Sequence, residues 1–274
     1  MKKKVLKIAA LILAIALIVG LAWTANSLVG NPISEMLAEK AADAYLETHF
    51  PNTDYYIEKL GFSFKFVGYY AHIRSESSMD TQFSLNIDML GNVFFDTYDS
   101  VTRGFVTGER VNQEYRNLTD QIFESPSFPY RDGICYGHLE IQSRQALEDP
   151  NVFIPEYSLF YEDFILDHIY DSRELGARAG ILTVYVDSNT LTYEEAARIM
   201  LFIRSEFDNA NIPFRAIDFM LQYPLPEEGP RPDEAIWFEN FQYEEIYEEG
   251  LKDRIAEADA ARKDYYAQLD EKYK

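Results

Sequence analysis

The chain of 274 residues carries 46 acidic against 25 basic side chains, a formal net charge of −21, so it repels polyanions and we exclude binding to nucleic acid. Hydrophobic residues make up 47% of the sequence, with 20 Tyr and 19 Phe, which suffices for packed cores and excludes a disordered chain. The one cysteine, Cys135, permits no internal disulfide and lies too far from the N-terminus to carry a lipid anchor.

An apolar segment follows four lysines at the N-terminus. It runs from Ile8 to Ala25, which as a helix spans about 27 Å, close to the hydrocarbon thickness of a bilayer. Lysine-rich flanks stay in the cytoplasm. Residues 1–30 therefore predict a single-pass signal anchor that meets the membrane through residues 5–25. The remainder of the chain is then extracytoplasmic.

A cleaved signal peptide is the alternative interpretation of this segment. Its cleavage site would be of the A-x-A type, and the nearest match, Ala22-Trp23-Thr24, ends in a poor residue. We therefore favour an uncleaved anchor. Without the four lysines, 21 basic residues face 46 acidic ones, a net charge of −25 for the part beyond the membrane.

Residues 31–125 predict a first α+β domain, with a helix followed by an antiparallel meander, the order of PepSY or cystatin-like domains. Asn31 and Pro32 are typical of a helix start, and Pro51 ends the helix. Apolar residues at spacings of three and four predict its buried stripe. These are Ile33, Leu37, Ala41, Ala44 and Tyr45.

Alternating apolar residues then predict strands at residues 62–66 and 83–89. Gly91-Asn92 is a tight-turn dipeptide, which indicates that residues 93–98 return as the next strand. A second helix is predicted at residues 111–123.

A linker is predicted at residues 126–136, followed by a second α+β domain at residues 137–274. The order strand, helix and strand suggests a ferredoxin-like arrangement. Thr192 and Glu195 form a capping box ahead of a helix with one apolar face, Ala196, Met200, Ile203 and Phe207. The remaining predicted elements are strands at 137–143, 181–186 and 214–223, and a helix at 157–170.

A long C-terminal helix is predicted to begin near Phe238. Its apolar positions are Tyr247, Leu251, Ile255, Ala258, Tyr265 and Leu269, with Arg262 in the one missing position. The stripe fits either a short coiled-coil seam or a helix laid on its own domain, and we favour the second.

Residues at turns and helix ends, together with the anchor, resemble the YfjL-like proteins, membrane-anchored proteins of Gram-positive bacteria to which no activity is assigned. The resemblance rests on Asn31-Pro32-Ile33-Ser34, Phe50-Pro51, Gly68-Tyr69-Tyr70, Leu90-Gly91-Asn92-Val93, Glu174-Leu175-Gly176, Ala210-Asn211-Ile212-Pro213-Phe214 and Ile217-Asp218-Phe219. In element order alone, the first domain also resembles PepSY-type modules of bacterial envelopes, some of which restrain peptidases. Because these signatures are structural, neither resemblance implies catalytic residues.

Two groups of residues are candidates for chemistry. Cys135 and His138 could form a thiolate–imidazole pair, but residues three apart on a strand face opposite ways. Asp163, Asp167 and Asp171 would share one face of the predicted helix, beside Glu162 and His168, and could attract a hard cation. A small hydrophobic residue next to an ordinary histidine, and a solvated acidic face, are the simpler interpretations, which we favour.

Three further features have ordinary structural interpretations. Asp187-Ser188-Asn189 begins like a calcium loop, but Leu191 stands where the third ligand belongs. The acidic cluster of Glu244, Glu245, Glu248 and Glu249 could attract a basic partner or be a solvated helix start. Several tyrosines could line a cleft, although core packing uses the same residues. These are Tyr69, Tyr70, Tyr98, Tyr115 and Tyr130.

No motif of a hydrolase nucleophile, zinc protease, phosphate loop or dinucleotide site occurs. We therefore assign no catalytic, cofactor-binding or metal-binding residue. The expected function is a non-catalytic module of the cell envelope that binds a protein or peptide, through an exposed sheet edge or the acidic last helix. An extracytoplasmic hydrolase with a dispersed active site is the alternative.

Overall fold

The computed structural model describes residues 11–18, 20, 24, 28 and 30–272, and the chain divides into two compact units. The first contains the chain up to Val106 together with Ile165–Asp167, and the second contains Thr107–Phe164 and the chain from His168 onwards. The linker predicted at residues 126–136 lies inside the second unit.

Residues 11–18 of the apolar N-terminal segment are helical and exposed. In the part of the chain that the structure describes, no helix combines the length and the apolar character needed to cross a bilayer. The N-terminal lysines, Ala22 and Trp23 lie outside the described residues. The membrane anchor therefore stays a prediction, and so does the choice between anchor and cleaved signal.

The first unit has the predicted order of a helix followed by an antiparallel meander. Its four strands lie side by side in chain order, and each neighbouring pair is antiparallel. The elements are α1 (Pro32–His49), β1 (Tyr55–Ser63), β2 (Gly68–Ser75), β3 (Gln82–Asp88), β4 (Val93–Asp96) and α2 (Asp99–Thr102).

Helix α1 begins as predicted but buries a different face. The Asn31 side-chain oxygen accepts hydrogen bonds from the backbone N–H groups of Ile33 and Ser34, at 3.0 and 2.9 Å. The buried residues are Ser34, Ala38, Ala42 and Leu46, whereas the predicted stripe places Ile33 and Leu37 in the core and is wrong for both. Small side chains let the helix lie close against the sheet, so the larger apolar residues turn away from it.

The strands of the first unit differ from the prediction at one hairpin. Strand β1 ends at Ser63, and residues 64–67 form the turn to β2. Phe64 and Phe66 are therefore turn residues rather than strand residues. Val67 adopts a φ of 51° there, a left-handed conformation that closes the turn and interrupts the alternating pattern. The strands predicted around residues 83–89 and 93–98 are confirmed as β3 and β4.

The second unit contains a four-stranded mixed sheet in the order β10-β9-β8-β5. Strands β8 and β9 are parallel, and the other two pairs are antiparallel. The elements are α3 (Phe105–Phe123, in this unit from Thr107), β5 (Ile134–Leu139), β6 (Ile141–Gln142), β7 (Leu159–Phe160), α4 (Ser172–Ala179), β8 (Gly180–Asp187), α5 (Tyr193–Asn209), β9 (Ala216–Gln222), β10 (Ala235–Gln242) and α6 (Leu251–Lys272).

This topology is α+β, but it is not the predicted ferredoxin-like one. A ferredoxin-like fold contains split βαβ units, in which another strand separates the two parallel strands. Here β8 and β9 are hydrogen-bonded neighbours, and helix α5 connects them along the chain. Thr192 caps α5 by accepting a hydrogen bond from the Glu195 backbone N–H at 3.2 Å. The Glu195 carboxylate binds Arg198, so the structure contains the threonine half of the predicted capping box.

Two predicted helices of the second unit are placed incorrectly. Residues 157–170 form strand β7, a 3₁₀ turn and loops, and the helix begins only at Ser172. Residues 235–242 form strand β10, in which Ile236 and Phe238 alternate inwards, and the last helix begins at Leu251. Leu251 and Ile255 are buried in the core of this unit, as expected for a helix laid on its own domain.

Side chains cover backbone N–H groups on both edge strands of the second sheet. On β5, the Gly137 N–H donates to Thr119 Oγ1 at 3.1 Å and the Leu139 N–H donates to Asn112 Oδ1 at 2.8 Å. On β10, the Trp237 N–H donates to Asp259 Oδ1 at 3.1 Å. Helices α3 and α6 thus supply the hydrogen-bond acceptors that an added strand would otherwise provide.

Candidate functional site

Cys135 and His138 lie on opposite faces of β5. Cys135 pairs with Val184 and contacts the core, where burial raises the pKa of its thiol to about 12. His138 pairs with Ile181, and burial lowers the pKa of its imidazole, opposed by the charge of Glu140. The thiol is therefore protonated at neutral pH, and the two side chains do not form a nucleophile–base pair.

The predicted acidic helix face does not exist, because residues 164–171 lie outside any helix. Asp163 accepts two hydrogen bonds from Arg144, at 2.6 and 2.7 Å. Asp171 caps α4 by accepting from two backbone N–H groups. Among the described residues, no group of three or more His, Cys, Asp or Glu side chains is placed to hold a metal ion.

Asp167 belongs to the first unit, where it forms a reciprocal pair with Asp80. Its Oδ1 accepts from the Asp80 backbone N–H at 2.9 Å, and its own backbone N–H donates to Asp80 Oδ2 at 3.1 Å. Ser78 Oγ also donates to Asp167, at 2.9 Å. This aspartate therefore holds the segment Ile165–Asp167 within the unit.

The other polar candidates also have structural partners. The Asp187 carboxylate accepts from Arg231 at 2.7 Å and from Gln222 at 3.0 Å. The acidic cluster precedes α6, with Glu244 and Glu245 in a 3₁₀ turn, and Glu244 lies 3.3 Å from Arg215. The Asp187 segment is therefore explained without a cation, and Glu244 has a basic partner within its own unit.

The five tyrosines are divided between the two units. In the first unit, the Tyr69 hydroxyl donates to the Asn31 carbonyl at 3.0 Å, and Tyr98 packs against Phe83 and Phe50. In the second unit, the fully buried Tyr115 donates to the Pro213 carbonyl at 3.0 Å. Core packing is therefore the role of these three side chains.

A cleft of the second unit brings together polar residues that lie far apart in sequence. Its volume is about 520 Å³, and one side is formed by the partly apolar segment Phe153-Ile154-Pro155-Glu156-Tyr157. Arg215, Asn240 and Gln242 line the other side. Arg215 precedes β9, whereas Asn240 and Gln242 lie in β10.

A bulge in β10 presents Asn240 to this cleft. The register with β9 shifts between Phe238 and Phe241, and Asn240 has a φ of 57°, a left-handed conformation that asparagine tolerates well. The Asn240 backbone N–H donates to Asp218 Oδ1 at 2.8 Å. Burial raises the pKa of Asp218 to about 6, while this hydrogen bond opposes the shift.

Side-chain hydrogen bonds fix the orientation of Asn240. Its Oδ1 accepts from the Tyr157 hydroxyl and from Gln242 Nε2, which leaves the Asn240 NH₂ group as a donor. Burial raises the pKa of Tyr157 to about 12, and the nearby charges of Glu140 and Asp218 act in the same direction. The hydroxyl therefore keeps its proton at neutral pH and remains a hydrogen-bond donor.

Arg215 supplies the positive charge of the cleft. Its guanidinium lies 5.7 Å from the centre of the Tyr157 ring and 3.3 Å from the exposed Glu244 carboxylate. Its Nε is buried and has no hydrogen-bond partner among the described residues. Guanidinium and amide donors beside an apolar rim suit the carbonyl and carboxylate oxygens of a peptide.

Sequence reasoning missed this cleft because its residues are spread from Phe153 to Gln242 and follow no local motif. One signal was present in the sequence. Asp218 is the single charged residue of a strand that is otherwise apolar up to Gln222, which indicates a buried carboxylate with a specific partner.

Comparisons with known proteins identify the same family in both halves of the chain. The model of the YfjL-like N-terminal domain matches residues 2–97. The model of the YfjL-like C-terminal domain matches residues 114–256. No curated protein and no solved structure shows a significant match. Together the two family models match most of the chain.

Proposed function

The chain belongs to the YfjL-like family, and we propose that it is a membrane-anchored binding module of the cell envelope without catalytic activity. In this proposal the N-terminal segment holds the chain in the cell membrane and the folded units are extracytoplasmic. The cleft lined by Tyr157, Arg215, Asn240 and Gln242 binds an extended peptide segment.

The anchoring part of the proposal rests on the amino-acid sequence. The apolar stretch from Ile8 to Ala25 follows Lys2, Lys3, Lys4 and Lys7, and no acidic residue precedes Glu35. This charge distribution favours a cytoplasmic N-terminus. The single cysteine is compatible with an extracytoplasmic bacterial protein that needs no disulfide.

The observation that supports peptide binding is the grouping of donors at the cleft. The Arg215 guanidinium and the Asn240 amide group lie beside an exposed apolar side chain, Phe153. Peptide sites combine such apolar contacts with a few positioned polar groups. Strand addition to the second sheet is less favoured, because Asp259, Asn112 and Thr119 already cover edge N–H groups.

The contacts favour binding over hydrolysis. Cys135 and His138 point away from each other, and the Asp218 carboxylate binds the backbone of the bulge. The cleft therefore contains hydrogen-bond donors and aromatic surface, but no nucleophile beside a base among its described lining residues.

Panning a phage-displayed library of random peptides against the full chain in lipid nanodiscs tests the peptide site. We expect enriched peptides whose affinity falls about tenfold or more in Arg215→Gln, since that variant loses a charge-assisted hydrogen bond. Tyr157→Phe, which removes one hydroxyl, should weaken binding less. Arg231→Gln is the matched control, because it removes an arginine paired with Asp187 outside the cleft. The peptide site would be refuted if no peptide is enriched, or if binding by Arg215→Gln equals that of the parent.

A further inference from the structure

Large apolar side chains are exposed at one end of the first unit. Ile33 is 69% exposed, Phe64 64%, Leu90 77% and Phe94 57%. With Leu37 and Phe66, which are also exposed, we call these six residues the apolar tip. Single exposed apolar residues are common, but a contiguous group of them marks an interaction surface.

The residues of the apolar tip come from three neighbouring segments. The Phe66 and Phe94 rings meet edge to face at 5.7 Å, which joins the β1–β2 turn to β4. The β3–β4 turn lies against α1, because a Cβ atom at Gly91 would stand 3.1 Å from the Leu37 carbonyl oxygen. These contacts bring the three segments that carry the tip together at one end of the sheet.

The chain from the apolar N-terminal segment enters the unit beside this surface. The Asn31 backbone N–H donates to the Tyr69 hydroxyl at 3.1 Å, and Tyr69 is the second residue of β2, directly after the β1–β2 turn. Five residues separate Ala25 from Asn31. Fully extended, they span at most about 20 Å. The predicted membrane segment therefore lies within a short reach of the tip.

The charge of the tip also differs from that of the chain as a whole. Residues 63–68, which span the β1–β2 turn and one residue on each side of it, contain Lys65 and no acidic residue. Residues 89–95 contain no charged residue. Asp88, at the base of the β3–β4 turn, accepts hydrogen bonds from the N–H groups of Leu90 and Asn92. In a chain with a net charge of −21, these turns are an apolar and nearly uncharged exception.

We propose that the apolar tip inserts into the interface of the membrane that holds the anchor. Aromatic and aliphatic side chains are favoured at the boundary between headgroups and acyl chains, and the two hairpin turns of the tip add little charge to them. Insertion would fix the orientation of the first unit on the bilayer. This inference rests on the proposed anchoring, but it is independent of the peptide cleft.

Spin labels on the full chain in nanodiscs of zwitterionic lipid test this inference. Single-cysteine variants in a Cys135→Ala background carry a nitroxide at Phe66→Cys, Leu90→Cys or Phe94→Cys. We expect these labels to collide several-fold more with oxygen, which concentrates in lipid, than with a water-soluble nickel complex. Met79→Cys is the matched control. Met79 is also an exposed apolar residue of the first unit, but it lies in the β2–β3 turn at the opposite end of the sheet, so its label should favour nickel.

A label at Leu17→Cys tests the membrane anchor separately from insertion of the apolar tip, because Leu17 lies in the predicted anchor. If that label reports lipid but the tip labels favour nickel as Met79→Cys does, membrane insertion is refuted and anchoring stands. If the Leu17 label also reports water, the anchoring fails. If the tip labels are shielded from both oxygen and nickel, the tip is covered by a second copy of the chain or by another protein. That result would also refute membrane insertion.

Discussion

The two units differ in which groups they leave exposed at their surfaces. In the second unit, side chains from α3 and α6 cover backbone N–H groups on both edge strands. In the first unit, apolar side chains at the hairpin turns and on α1 stay exposed at one end of the sheet. Polar groups that are satisfied internally do not need a partner. The first unit therefore exposes apolar side chains where the second has its edge N–H groups covered, which is why our proposals place the membrane contact in the first unit and the peptide cleft in the second.

The largest expected loss of stability comes from removing Asp259, the side chain that covers the edge of β10. The Asp259 carboxylate is 1% exposed and accepts from the Trp237 N–H, the Tyr193 hydroxyl and Lys263. Asp259→Ala should lower the free energy of unfolding by about 3 kcal/mol, because two part-buried donors, the Trp237 N–H and the Tyr193 hydroxyl, lose a buried charged acceptor. Urea denaturation followed by tryptophan fluorescence measures this loss. The exposed Glu257 on the same helix is the control, and Glu257→Ala should change stability by less than about 0.5 kcal/mol. Equal stability of the two variants would show that edge cover contributes little.

An intermediate effect concerns the carboxylate under the β10 bulge. The pKa of Asp218 is raised from its ordinary 3.8 to about 6 in the folded chain, so the folded state binds a proton that the unfolded state releases. The contribution of this residue is therefore most favourable below about pH 4 and declines as the pH rises through 6, by about 1 kcal/mol between mildly acidic and neutral pH.

Replacing the carboxylate should remove this pH dependence. Asp218→Asn keeps an oxygen that can accept from the Asn240 N–H but does not titrate in this range. Unfolding free energies of the parent and the variant at mildly acidic and neutral pH give the two slopes. We expect a shallower decline in the variant. Parallel slopes would mean that Asp218 titrates at its ordinary pKa.

The smallest effect is expected at the apolar tip. Leu90→Ser should change the unfolding free energy in detergent by less than about 0.5 kcal/mol, since an exposed side chain buries little surface on folding. Met79→Ser is the matched change at the opposite end of the same sheet. Chemical denaturation of both variants checks this. A loss above about 1 kcal/mol for Leu90→Ser alone would show that the tip supports the fold instead of meeting a membrane.

For several residues on which the family resemblance rests, the sequence alone indicated why that residue type is needed at its position. Asn31 caps α1, and Gly91 has a φ of 84° in its turn. Such positions can be inferred because caps and left-handed turns depend on neighbours in the chain. Gly176 is different. A Cβ there would lie 2.3 Å from the Tyr115 ring, a constraint that exists only after α3 and α4 have packed.

Periodicity predicted the type of most elements, but it predicted the buried face only where a helix has a single apolar face. Helix α5 buries the predicted residues because it carries one apolar face. Helix α1 has apolar residues on two faces, and packing against the sheet selected the one with Ala38 and Ala42. Strand β10 was missed because Trp237, Phe238 and Phe241 follow helical spacing, while the bulge interrupts the alternation of Ile236 and Phe238 before Phe241. Pairing with β9 decided for the strand.

The sequence by itself determined the α+β class, the caps at Asn31 and Thr192, the turn at Gly91, the family, and the absence of a local catalytic motif. All of these depend on residues that are close along the chain. Only the tertiary structure decided that Cys135 and His138 face apart, that the three aspartates have separate partners, and that Tyr157, Arg215 and Asn240 share a cleft. Such groupings depend on strand register and long-range packing, which no short segment encodes.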